Sequence, residues 1–194
     1  MKSIIREIFI TLGLAILIFF ILQTTIQSSI VLGSSMEPNL LDGQRLIINK
    51  AVYHFKSPQR GDVIILHPPI EPQKEYVKRV IGLPGDTIDI RSGIVKVNGI
   101  TLEETYIKSV PDYSFGPYKI EDNHYFVLGD NRTNSSDSHL GWTVTGQNII
   151  GKAWISIWPP KKWGLVRSYP LGQQLLNQSL LQNSLALINI ISFP

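Results

Sequence analysis

From Ile8 to Leu22 every residue except Thr11 is apolar or glycine, and none is charged. Extended to Ile26, that run makes a helix of about 28 Å at 1.5 Å per residue, close to the ~30 Å hydrocarbon core of a bilayer. Lys2 and Arg6 precede it, and the next basic residue after it is Arg45. The positive-inside rule then puts the N-terminus in the cytoplasm and the rest of the chain across the membrane. Glu7 weighs little, because acidic residues contribute less to that rule. A cleaved leader would share the basic start and the apolar core, but it needs a small-x-small site just past the core. The chain reads Gln23-Thr24-Thr25 there. The expectation is a cytoplasmic start over residues 1–7 and a permanent single-pass anchor over 8–26. Either reading exports the remainder.

Composition narrows the rest. The 194 residues carry 18 basic and 15 acidic side chains, a net charge of +3. That balance is too mild and too scattered for a nucleic-acid partner. There is no cysteine, which excludes disulfides, thiolate catalysis and thiolate metal ligation. His54, His67, His124 and His139 show no ligand spacing, so each reads as a surface or packing residue. No metal or cofactor is expected, and nothing implies an oligomer.

After Leu32 the chain breaks into short β-like runs separated by Gly, Pro, Asn and Asp. The expected strands are Arg45–Asn49, Asp62–His67, Glu75–Ile81, Thr87–Ile90, Ile94–Val97, Tyr125–Leu128 and Gly151–Trp158. Arg91-Ser92-Gly93 reads as a hairpin turn. In the last run Ala153, Ile155 and Ile157 alternate with Trp154, Ser156 and Trp158, the period of two that a strand requires. Pro159-Pro160 stops it, since proline cannot donate to the ladder. No long amphipathic helix appears between Gly33 and Pro160. A mainly β, antiparallel ectodomain over residues 27–167, a partly closed barrel or folded sheet, is the expected architecture. The uncharged Leu/Gln/Asn-rich tail, residues 168–194, has too many polar side chains for a full span and no role legible in its sequence.

Four segments carry candidate chemistry. They are Gly33-Ser34-Ser35-Met36-Glu37-Pro38-Asn39-Leu40, Arg60-Gly61-Asp62-Val63, the run Tyr76-Val77-Lys78-Arg79-Val80-Ile81-Gly82-Leu83-Pro84-Gly85-Asp86, and Gly129-Asp130-Asn131-Arg132-Thr133-Asn134-Ser135-Ser136-Asp137-Ser138. A serine in a Gly/Pro-bounded loop is usually a turn former. Lys78 in an apolar strand is more unusual. If its face is buried, the ammonium is desolvated and its pKa falls; if it lies at an edge, its stem covers apolar surface while its head reaches water. A shift of about three units makes half of a lysine neutral near pH ~7.4, at roughly 4 kcal/mol of differential solvation. Read as a calcium loop from Asp130, the fourth segment puts Arg132 third and Gly141 twelfth, which suits no cation.

In this order and behind an apolar N-terminal run, the segments resemble the characteristic boxes of the type I signal peptidases, over roughly Gly33 to Trp158. The strings S-M-x-P, K-R-x-x-G-x-P-G-D and G-D-N-R-x-N-S-x-D-S are weak singly and specific together. The resemblance implies a membrane-bound serine endopeptidase of mainly β fold that removes leader peptides from exported preproteins. It implies Ser35 as nucleophile and Lys78 as general base, with the Ser135 hydroxyl orienting the lysine amine. Asp130, Arg132 and Asp137 would be structural supports, with an Asp137–Arg132 ion pair. Met36, Leu40, Tyr76 and Val77 would wall shallow pockets for small side chains. Some members carry a serine two residues before the nucleophile as an oxyanion donor. Gly33 stands there in this chain, which leaves the Ser35 backbone N–H as the main expected donor. Asn39 and Thr133 stand where Thr and Asp are commoner.

The expected partners are signal-peptide-bearing preproteins and a lipid bilayer, in a cell membrane or thylakoid-type membrane with the catalytic part on the extracytoplasmic side. Ser35 lies 13 residues past Leu22, at most about 45 Å of extended chain, so it should sit near the outer membrane surface where a leader's cleavage site emerges. One rival, a self-cleaving repressor-type Ser-Lys protease, needs a DNA-binding module for which there is no room. The other is a catalytically silent, membrane-tethered β module that binds exported chains.

Overall fold

The computed structural model describes residues 2–191. Helix α1 (Lys2–Thr25) opens the chain, and its stretch Ile4–Thr25 is the only helix among the described residues long and apolar enough to cross a membrane. Among the described residues no core covers its apolar side chains: Phe9, Phe20 and their neighbours are exposed. A helix apolar on every face and buried in no core calls for an apolar solvent. It ends one residue before the expected boundary, because Ile26 already belongs to strand β1 (Ile26–Ile30). β1 pairs antiparallel with β2 (Arg45–Asn49).

A short helix, α2 (Val52–Phe55), follows, then β3 (Val63–Leu66) and β4 (Tyr76–Gly82). β5 (Thr87–Arg91) and β6 (Ile94–Val97) form the hairpin expected about Ser92-Gly93, where both residues take positive φ. β7 (Ile100–Thr101), β8 (Phe115–Lys119), β9 (His124–Leu128), β10 (Val144–Thr145), β11 (Ile149–Trp158) and β12 (Gly164–Leu165) complete the strands. They form two antiparallel sheets. The large one runs β1-β2-β11-β3-β4-β9-β10, with β12 on β11; the small one runs β7-β6-β5-β8.

The seven expected strands are all present, within two residues at each end. The expected mainly β, antiparallel fold behind one apolar helix is the observed one. β3 shows why the large sheet needs two cores. All four of its residues are buried; Val63 and Ile65 join Val31, Met36, Leu40, Leu46, Ile48 and Ala153 on one face, while Ile64 and Leu66 join Val80, Tyr125, Val127 and Val144 on the other. A continuous apolar run is what a strand covered on both faces requires. A third core lies between the small sheet and residues of β4 and β9, including Ile81, Ile88, Ile90, Val97, Phe126 and Leu128.

The tail does not begin a separate unit. Helix α3 (Leu171–Ile191) follows a short strap, and Leu171 and Leu175 are buried in that third core. Residues 192–194 of the tail lie outside the described residues.

Candidate active site

Ser35 and Lys78 come together from elements 43 positions apart in the chain. Ser35 lies in the turn between β1 and β2. Gly33 enters that turn at φ +83°, and its N–H donates to Asp42 Oδ1 at 2.7 Å. Met36, wholly buried, pins the turn into the core. From the other side Asn131 N donates to Ser35 O at 2.9 Å, and Asn131 Nδ2 to Ser34 O at 3.1 Å. The turn is thus fixed at its entry, its base and its flank. Gly129 is part of the fit: a Cβ there would collide with the Ser135 hydroxyl and come within 2.5 Å of Ser35 O.

Lys78 sits in β4 opposite Ile64 of β3. Its amine donates to Ser35 Oγ at 2.9 Å. The side chain is only 3% exposed, and burial is the main reason its pKa falls from 10.5 to about 8; the carboxylates of Asp137 and Asp130 act the other way. Loss of hydration disfavours the ammonium more than two distant negative charges favour it. The result is an amine that titrates near neutrality, in hydrogen-bond contact with a hydroxyl. A neutral amine in such contact can take a proton from a hydroxyl.

Both residues face a cleft of about 490 Å³, lined by Ser29, Ile30, Val31 and Leu32 on one side and Glu75, Tyr76 and Val77 on the other. β1 and β4 are separated by three strands in the sheet order, so the sheet curls to bring their ends face to face. Tyr76 and Val77 line the cleft, and Met36 and Leu40 are not among its lining residues. Both are buried beneath it, with Leu46, Ile48 and Val63. The chain turns through Met36–Leu40, where Leu40 N donates to Met36 O at 2.9 Å. That turn drives both side chains inward, so they form the cleft's foundation rather than its wall.

Two further expectations meet a different geometry. The Asp137–Arg132 ion pair does not form. Arg132 instead makes a bidentate pair with Glu104 at 2.7 and 2.6 Å and donates Nε to Gly129 O at 2.9 Å. Asp137 accepts from Gly129 N at 2.9 Å and meets His139 Nδ1 at 2.6 Å. The arginine's planar fork finds a matching carboxylate on the far side of the loop, which leaves Asp137 to hold backbone. Ser135 makes no hydrogen bond to Lys78: its hydroxyl is buried and has no partner among the described residues, while the amine is turned to Ser35.

Asp130 is wholly buried and clasped by Arg79, Nε to Oδ1 at 2.8 Å and Nη2 to Oδ2 at 2.7 Å. Asn39 Nδ2 donates to the same carboxylate at 2.8 Å. Arg79 and Glu104 were not legible as site residues. Arg79 was visible only as the neighbour of Lys78 on the opposite strand face, and nothing marks Glu104 in a run of ordinary polar residues. Asn131 lies inside the fourth segment and carried no role. His139 has a packing position, its ring stacked on Tyr113 at 4.0 Å, one contact from the Asp137 carboxylate.

Comparison with known proteins identifies the family. The family model described as signal peptidase, peptidase S26, matches residues 1–158. Signal peptidase I of Leptolyngbya laminosa is 42% identical over 162 residues, 79% of this chain and 80% of that one. The probable signal peptidase I-1 of a Synechocystis strain is 38% identical over 175 residues, 87% of this chain and 88% of that one. Signal peptidase I of Bacillus amyloliquefaciens is 36% identical over 165 residues, 79% and 83% of the two chains. A match over most of the chain, with the serine, the lysine and their cleft within it, means that this chain belongs to the signal peptidases of family S26, and among them to type I.

Proposed function

We propose that this chain cuts signal peptides from exported preproteins after small-x-small sites, by acyl transfer to Ser35 with Lys78 as general base. The observation that carries this reading is the 2.9 Å contact between Lys78 Nζ and Ser35 Oγ at the end of an open cleft, with the lysine buried. The substrate lies extended in the cleft and adds to the edge it offers. Neutral Lys78 takes the Ser35 proton as Oγ attacks the scissile carbonyl carbon. The Ser35 N–H holds the oxyanion, since Gly33 offers no hydroxyl. The lysine then gives its proton to the leaving amine, the C–N bond breaks, and the signal peptide remains as an ester on Ser35. Once Oγ is esterified, the lysine amine needs a new partner, and the Ser135 hydroxyl, which has none among the described residues, supplies it. Lys78 next deprotonates the water that hydrolyses the ester. Helix α1 crosses the bilayer with its N-terminus in the cytoplasm, and holds the cleft at the height where leader peptides emerge.

With a pKa of about 8, about 20% of Lys78 is neutral at pH ~7.4, against ~0.1% for an unshifted lysine. The rate kcat/KM should therefore rise with pH and level off above about 8. In Asp137→Asn the carboxylate that favours the ammonium is gone, so the rise should move to lower pH. A profile that does not move would mean that the Asp137 charge does not reach the base.

The direct test is cleavage of a preprotein with an Ala-x-Ala site by the detergent-solubilised full chain, read by mass spectrometry. A single cut after the second alanine is expected. Phe at that position should slow cleavage by about 100-fold or more, because a shallow pocket rejects a large ring. No cleavage of several preproteins by folded protein would overturn the proposal, and efficient cleavage after Phe would overturn the shallow pocket.

A further inference from the structure

At the end of the cleft away from Ser35, Glu75 reaches across its mouth. One carboxylate oxygen accepts from Gln27 Nε2 at 3.0 Å and the other from Ser29 Oγ at 3.2 Å. Gln27 and Ser29 belong to β1, and Glu75 immediately precedes β4. Because these strands are not neighbours in the sheet, the contacts form a side-chain bridge over open cleft, not part of a ladder. Lys74 lines the same end, but its amine is taken by Glu71 at 2.6 Å, and the other Glu71 oxygen accepts from the Tyr76 hydroxyl. Two carboxylates thus face one ammonium, and that end of the cleft carries net negative charge.

We infer that Glu75 is a specificity-determining residue that reads charge at the fourth substrate residue before the cut, favouring a basic side chain and disfavouring an acidic one. The inference rests on the proposed function. With the substrate running parallel to β4, its register follows from strand geometry. Glu75 precedes Lys78 by three residues, about 10 Å of strand. An extended substrate covers that distance in three residues, counted from the one whose carbonyl is attacked. A Lys or Arg there replaces the neutral donors of Gln27 and Ser29 with a charge-assisted one. An Asp or Glu would set like charges together. Glu75 is exposed, so water and salt screen it and the selectivity is modest.

The test compares kcat/KM for three preproteins that differ only at this position, with Lys, Ala or Asp, using the full chain in detergent at low salt. A Lys-over-Asp preference of about 5-fold is expected. It should collapse toward unity in Glu75→Gln, invert in Glu75→Lys, and shrink in wild type at high salt. That last measurement needs no variant. Equal cleavage of Lys and Asp substrates by wild type would overturn the inference while leaving the peptidase intact. So would a preference that survives Glu75→Gln, or a variant that slows all three substrates equally. Failure to cleave any of the three by wild type would overturn the proposed function itself.

Discussion

Lys78→Met is expected to lower kcat/KM by about 10⁴-fold and to raise the stability of the folded protein in the same step. The loss follows from removing the only base in contact with Ser35 Oγ among the described residues. The gain follows from desolvation. Folding takes the lysine from a pKa of 10.5 to about 8, a penalty of about 3 kcal/mol on the folded state. The sign is fixed by proton counting. Between about pH 8 and 10.5 the unfolded chain holds the proton that the folded chain has lost, so stability rises with pH across that window. Below about pH 8 the whole penalty is present. Methionine keeps the apolar stem and carries no charge, so the variant should recover a large part of the penalty, raising Tm by roughly 5 °C at pH ~7. The gain should shrink above pH ~10, where the lysine is neutral in both states. Ser35→Ala is the companion measurement: activity should fall as far, with no such gain, because the buried ammonium remains. Thermal unfolding followed by tryptophan fluorescence at the two pH values, beside a cleavage assay, reads both effects. Activity surviving in Ser35→Ala would place the nucleophile elsewhere. A Lys78→Met protein no more stable than wild type at pH ~7 would mean that the ammonium is hydrated.

The elements legible in the sequence are those whose residues announce their own surroundings. β3 declared itself by an unbroken apolar run and the hairpin between β5 and β6 by Ser92-Gly93, whereas the alternation that marks β11 is broken by bulges that leave Ile155 half-buried and bury Ser156. β1 was hidden because Ile26–Ile30 continues directly from the apolar helix; only its pairing with β2 makes it a strand. β8 carries Gly116-Pro117, which argues against a strand anywhere except at a sheet edge, and it is an edge of the small sheet. α3 shows no charge and no clean apolar stripe, and its start is held by contacts to a core that no local pattern specifies. The same division runs through the site. Ser35 and Lys78 stand in the strings that carry the family resemblance, and the fold brings their side chains into contact. The partner of Arg132 was not legible, because Glu104 lies 28 positions away and a bidentate contact is decided by tertiary geometry. Met36 and Leu40, which the resemblance gives as pocket walls, are buried in the core against which Val77 packs, a placement that no local pattern in their turn specifies.

Arg79→Met should destabilise the protein by about 3–5 kcal/mol, lowering Tm by roughly 10 °C. Arg79 is wholly buried beside Lys78 in β4. Besides Asp130 it donates to Gly61 O at 2.8 Å and to Arg167 O at 3.0 Å, and its guanidinium lies 4.7 and 4.9 Å from the ring centroids of Tyr106 and Tyr169. Arg167 and Tyr169 belong to the strap that leads into α3. Tyr169 OH also donates to Asn39 Oδ1 at 3.2 Å, and Asn39 in turn holds Asp130. The pair is therefore closed from outside by residues beyond 158, where the family match ends. Methionine can fill the stem's volume but leaves Asp130 charged, buried and held by one amide. Removing both charges in Arg79→Met/Asp130→Asn should cost less than the sum of the single changes, because no unpaired charge remains. A double-mutant cycle on thermal unfolding measures that difference. Additive losses would mean that Arg79 stabilises through its stem and its two backbone contacts alone. A coupling of several kcal/mol would mean that Arg79 and Asp130 stabilise the fold as an ion pair, one that the Arg167 carbonyl and the Tyr169 ring at the start of the tail contact from outside.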